Sequence, residues 1–211
     1  MTAQLVRIPA DDVHLEGLLE LPADAPGIVL FAHGSGSSRH SPRNNYVARV
    51  LHEHGIGTLL LDLLTLSEDL DYHTRFDIAL LTHRLLLATG WVRQHTPPSR
   101  HLTLGYFGAS TGAAAALQAA AALGDEVQAV VSRGGRPDLA GEHDLSKVKA
   151  PTLLLVGSRD EEVLELNQAA FDHLHCDKLL SVIPGATHLF EEAGTLEEVA
   201  REAADWFRRY L

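Results

Sequence analysis

Residues Leu102 to Gly112, reading Leu-Thr-Leu-Gly-Tyr-Phe-Gly-Ala-Ser-Thr-Gly, constrain this chain more than any other stretch. An apolar run ends in Gly108-Ala109-Ser110-Thr111-Gly112 and passes at once into an alanine-rich segment, Thr111 to Leu123. That order predicts a strand, a sharp turn and a helix. Glycines on both sides of Ser110 let the turn tighten without a Cβ clash. A serine hydroxyl attacks well only when it is held clear of the backbone, beside a base. A helix N-terminus then supplies N–H groups that face a developing oxyanion. Ser110 is therefore a candidate nucleophile, although small residues also suit an ordinary strand-to-helix turn.

The surrounding pattern decides what fold carries this turn. Leu5 to Pro9 and Val13 to Leu21 read as two strands joined by Ala10-Asp11-Asp12. Ile28 to Ala32 and Thr58 to Leu63 are short continuous apolar runs, as in strands buried on both faces. Tyr46 to His54 has helical spacing closed by Gly55, and Asp77 to Gln94 is an amphipathic helix stopped at Thr96-Pro97-Pro98. Further strands are expected over Val127 to Ser132, Thr152 to Val156 and Lys178 to Ile183. Helices are expected over Glu162 to His173 and Leu196 to Tyr210. Alternation of this kind predicts an α/β fold, a mostly parallel sheet of about seven to eight strands with helices on both faces. Without a linker or repeat, the 211 residues read as a single domain, 1–211.

Charge and cysteine content narrow the partners. A net charge of −11 opposes nucleic acid or an anionic membrane, both of which need a basic surface. No apolar run approaches the ~20 residues that span a bilayer. The single cysteine, Cys176, excludes an internal disulfide, and Met1-Thr2-Ala3-Gln4 lacks the basic and apolar regions of a secretory signal. A cytoplasmic protein is the expectation, a monomer or a homodimer. His52-x-His54 and His173-x-His175-Cys176 look superficially metal-like, but side chains two apart diverge on a helix, so no metal is expected. Neither a Walker lysine motif nor a G-x-G-x-x-G follows the first strand, so no nucleotide and no cofactor is expected.

Reactive groups in such sheets gather on loops beyond the carboxyl ends of the strands. Asp160, in Val156-Gly157-Ser158-Arg159-Asp160, lies past one late strand; His188, in Pro184-Gly185-Ala186-Thr187-His188, lies past the last. Ser110, Asp160 and His188 then follow the order nucleophile, acid, base. His188 would take the Ser110 proton and return it to the leaving group, with Asp160 fixing the imidazole tautomer. An oxyanion needs two backbone N–H donors: Thr111, after the nucleophile, and one from His33-Gly34-Ser35-Gly36, where Ser35 comes first and Gly36 second. His33 reads as a residue that holds the loop.

These elements together resemble the α/β-hydrolase superfamily, and within it the short, essentially uncapped, cofactor-free dienelactone-hydrolase-like branch. The resemblance runs over nearly the whole chain and implies the same triad and oxyanion donors. One departure stands out: dienelactone hydrolases place cysteine where this chain has Ser110. That points to a general carboxylic ester hydrolase acting on small esters or lactones. Acyl transfer or perhydrolysis would use the same triad, and a non-catalytic ligand-binding module could retain the same fold.

Several arginines could add specificity. Arg39, with His40 and Arg43 just after the oxyanion loop, and Arg133, with Arg136 past a central strand, could receive a substrate carboxylate or pair with the protein's own acids. Asp62, at the end of Thr58 to Leu63, reads as a loop-fixing residue. The short segment from Ser132 to Pro151 leaves room for at most a small lid, which favours short acyl groups.

Overall fold

A computed structural model describes residues 3–95 and 102–211. The Thr96-Pro97-Pro98 stop and residues Met1 and Thr2 lie outside them. Eight strands form one sheet: β1 (Gln4–Ala10), β2 (Val13–Glu20), β3 (Gly27–Ala32), β4 (Gly57–Leu61), β5 (Thr103–Ala109), β6 (Ala129–Arg133), β7 (Thr152–Gly157) and β8 (Lys178–Ile183). Their order is β1-β2-β4-β3-β5-β6-β7-β8. The first three neighbours pair antiparallel and the remaining pairs are parallel. Six α-helices lie among the described residues: α1 (Pro42–Glu53), α2 (Ile78–His95), α3 (Thr111–Leu123), α4 (Glu142–Leu145), α5 (Glu161–His173) and α6 (Thr195–Tyr210).

Two cores flank the sheet, and the apolar runs explain why. Along β3, Ile28 and Leu30 face one core while Val29 and Phe31 face the other, since successive side chains point to opposite sides. Helices α2, α3 and α5 cover the first face through Leu81, Leu85, Leu117 and Ala170. The second face is covered by α1 and α6 through Val47, Leu51, Val199 and Phe207. Each large side chain withdrawn from water contributes about 2 kcal/mol. Helix α3 is buried almost all round, with Ala113 to Leu117 fully enclosed. Its alanines suit this position because a helix against the sheet centre has no room for longer side chains.

Three elements differ from the sequence reading by two residues or more at an end. Helix α1 starts at Pro42, earlier than Tyr46, because Ser41 caps it by accepting the Asn44 N–H at 3.4 Å and proline suits the first helical position. Strand β4 ends at Leu61; the Asp62 N–H makes one more bond to β2, at the Glu16 carbonyl (2.9 Å), and the Asp62 carboxylate turns to Arg39. Strand β6 runs over Ala129–Arg133, a shift toward the carboxyl end that makes Arg133 its last residue.

The sheet reverses its winding at β3. The chain leaves β3 toward β4 on one side and later enters β5 on the other. Loops after β3 and β5 therefore diverge around a crevice, where open α/β sheets bind ligands. The β6–β7 crossover adds only the 3-10 turn Pro137–Ala140 and the short α4, so no lid covers this crevice. No helix among the described residues is long and apolar enough to cross a membrane.

Candidate active site

The turn at Ser110 is as sharp as its glycines suggest. Ser110 holds φ 50° and ψ −123°, a region that costs a non-glycine residue about 1–3 kcal/mol. A Cβ at Gly108 would lie 2.4 Å from Ala113 Cα, and one at Gly112 would lie 2.1 Å from the Ala32 carbonyl oxygen. Both contacts are with backbone, so neither position accepts a larger residue. Ser110 stands at the N-cap of α3, yet its side chain forms no capping bond. Its carbonyl instead accepts the N–H groups of Ala113 and Arg136, at 3.1 and 3.0 Å.

Asp160 repeats that behaviour at the N-cap of α5, where its carboxylate caps nothing. One oxygen, Oδ2, lies 2.6 Å from His188 Nδ1. A carboxylate only accepts, so Nδ1 carries the proton and Nε2 is left free to act as a base. Asp160 is largely buried and His188 is 40% exposed, open to a ligand from the crevice.

The His188 loop is braced by residues that no sequence pattern singled out. Glu192 accepts both the N–H and the hydroxyl of Thr187, at 3.1 and 2.7 Å. These bonds hold the Glu192 carboxyl below its usual range. The Phe190 N–H closes the turn onto the Thr187 carbonyl at 3.2 Å, and Phe190, fully buried, sits at φ 54°. Among the described residues, no direct hydrogen bond joins Ser110 Oγ to His188 Nε2. Both flank the end of β6: the Ser110 N–H donates to the Arg133 carbonyl at 3.4 Å, and a Cβ on Gly134 would sit 3.6 Å from His188 Cε1. Such bonds often tighten only when substrate arrives.

On the β3 exit loop, Gly34 packs against Ser110, since a Cβ there would lie 2.8 Å from Ser110 Cβ. The Ser35 N–H donates to Thr111 Oγ1 at 3.1 Å. A turn closed by the Ser37 N–H on the Gly34 carbonyl, with Gly36 at φ 68°, shapes the loop tip. His33 is buried, with Nδ1 2.9 Å from the Gly34 carbonyl and Nε2 3.7 Å from Asp62.

The arginines divide. Arg39 is engaged by acids of the protein itself, both oxygens of Asp62 and, at 2.6 Å, Glu16. Asp62 thereby fixes the loop. Arg136 pairs with Asp138 at 2.7 Å. Arg133 differs: it is 8% exposed, and its polar contact is with Asn44 Oδ1 at 3.3 Å. A segment absent from the sequence reading reaches the β3 exit loop. Arg75 sets Nη1 within 3.4 Å of where a Gly36 Cβ would lie, while its Nε is held by the Asp69 carbonyl at 2.6 Å. Leu66, Leu70 and Tyr72, nearby in sequence, are exposed. Among the described residues, no group of three His, Cys, Asp or Glu could hold a metal ion.

Comparison with known proteins agrees with this architecture. No family model matches the chain. A crystal structure of a dienelactone hydrolase from Anabaena variabilis is 54% identical, covers 100% of both chains and superposes with a TM-score of 0.93. An α/β serine hydrolase without a lid from Xanthomonas campestris is 25% identical over 99% of this chain and 95% of its own, with a TM-score of 0.80. A curated protein of Mycobacterium tuberculosis, provisionally named a phosphoribosyl transferase, is 57% identical over 206 residues, 98% of this chain but 46% of its own length. The chain thus spans about half the length of the curated relatives it matches. In fold, order of elements and similarity over its full length, the chain belongs to the dienelactone-hydrolase-like branch of the α/β-hydrolase superfamily.

Proposed function

We propose that this protein is a serine hydrolase that cleaves small carboxylic esters or lactones through an acyl-enzyme on Ser110. The 2.6 Å Asp160–His188 bond carries the reading, because an imidazole that donates Nδ1–H to Asp160 keeps Nε2 as the acceptor that a serine hydroxyl needs. His188 takes the Ser110 proton as the hydroxyl attacks the ester carbonyl. The tetrahedral oxyanion is met by the N–H groups of Thr111 and Ser35, and collapse expels the alcohol with the proton returned by His188. Water then repeats the sequence and frees the acid.

The name of the Mycobacterium relatives describes proteins about twice as long, and a strained serine beside an Asp–His pair suits acyl chemistry. Hydrolysis of p-nitrophenyl acetate and labelling by a fluorophosphonate test the reading. Both should be present in the wild type and absent in Ser110→Ala. A wild type that neither turns over nor labels would favour a ligand-binding module. Acyl transfer by the same triad would appear as a new ester when an alcohol is added.

A further inference from the structure

Arg133 is a buried cation without an acid. It ends β6 with its side chain on the same face as Val131, turned toward α1. There its Nη2 reaches Asn44 Oδ1 in the first turn of α1, while Nε and Nη1 are enclosed without a partner. Arg43, in the same turn, also has an enclosed, unpartnered Nε. Among the described residues Arg133 forms no ion pair, and the acid that reaches Arg43 is Glu191, exposed and 3.4 Å away. Two guanidinium groups and the positive end of a 12-residue helix thus converge with little to balance them. Burial, with the charge of Arg43 added, pushes Arg133 down to about 10. Burying an unmatched charge is strongly unfavourable, and the arrangement persists most readily if an anion completes it.

We propose that Arg133, Arg43 and the first turn of α1 form a binding site for a small oxyanion, a phosphate or a carboxylate, beside the His188 loop. Planar guanidinium forks match both groups. The site touches the catalytic loop, since the Arg133 guanidinium lies 5.9 Å from the centre of the Phe190 ring, and Phe190 closes the turn that carries His188. Arg43 is the more exposed of the two guanidinium groups, and it reaches Glu191, just past His188, at 3.4 Å. The oxyanion is either free in solution or an acid group carried by the ester; only the second case rests on the hydrolase reading.

Isothermal titration of the Ser110→Ala protein separates the sources, with inorganic phosphate in one arm. The other arm compares monomethyl glutarate with the neutral ester methyl butyrate. The proposal expects phosphate to bind, or the acid ester to bind in preference to the neutral one. Either affinity should fall roughly tenfold on adding Arg43→Gln, and also on adding Arg133→Lys, which keeps the charge but loses the fork. Arg43 is partly exposed, so its variant tests the site even if changes at Arg133 impair folding. Phosphate alone would identify a free anion, and the acid ester alone a substrate group. Binding of neither probe, or binding unchanged in Arg43→Gln, would overturn the proposal. Fluorophosphonate labelling of the wild type judges the hydrolase reading separately.

Discussion

Asp160 Oδ2 accepts the Nδ1–H of His188 at 2.6 Å, although Asp160 occupies a helix N-cap where its side chain could have bonded its own backbone. Forgoing a cap costs about 1 kcal/mol, so stability is given up to orient an imidazole. Asp160→Asn removes the charge and allows the wrong tautomer. Its kcat should fall roughly a thousandfold or more, with unfolding free energy changed by no more than about 1 kcal/mol. Steady-state kinetics and urea unfolding check both halves; a loss under tenfold would remove Asp160 from the mechanism.

Strain at Ser110 gives a second expectation. At φ 50° and ψ −123° a Cβ is costly, and glycine relieves that cost while losing more entropy on folding. Ser110→Gly should therefore be more stable than Ser110→Ala by about 1 kcal/mol, with both inactive. Equal urea midpoints for the two variants would show that the elbow stores no strain.

The two features that proved easiest to read from the chain were those with local chemistry. Gly108 and Gly112 announce a close approach because no other residue fits against Ala113 and Ala32. Two-sided apolar runs such as Ile28 to Ala32 announce a sheet covered on both faces. The same runs explain why Ser110, Asp160 and His188 each stand past a strand end. Contacts between distant segments were not legible. Nothing local marks Glu192 as the clamp on Thr187, or Arg75 as the neighbour of Gly36. Arg39 and Arg133 look equivalent as loop arginines, and only the fold gives Arg39 two acids and leaves Arg133 with an amide.

Acid sensitivity should centre partly on Glu68. The Arg84 guanidinium, itself buried, binds both Glu68 oxygens at 2.6 Å, and Thr65 donates its N–H and hydroxyl as well. The Arg84 bond leads in holding the Glu68 carboxyl down at about 2, below its ordinary 4.5. A depressed carboxylate contributes its full stability above the unfolded value and loses it as pH falls toward the folded one. The window here lies between about pH 5 and pH 2. Glu68→Gln should lower stability at neutral pH by about 1 kcal/mol, after allowance for solvent screening, and flatten the acid decline. Unfolding curves across that range measure both. An unchanged slope would mean that other carboxylates govern the acid response.

The Thr111 hydroxyl addresses how the oxyanion loop is readied. The Ser35 N–H already donates to Thr111 Oγ1 at 3.1 Å, so the loop is tied to the residue that follows Ser110. In the proposed reaction the oxyanion would share the Ser35 N–H with Thr111 Oγ1, a bond that keeps the donor near its working place. Thr111→Val removes the acceptor while keeping the shape. Its Ser35 N–H loses a fixed direction, and kcat should drop roughly tenfold with KM little changed, less than the hundredfold or more of deleting a donor outright. Thr111→Ser restores the acceptor and should recover most of the rate. If valine instead raised kcat, the Thr111 hydroxyl would be a competitor for the Ser35 donor, and the loop would owe its position to Gly34 packing on Ser110 alone.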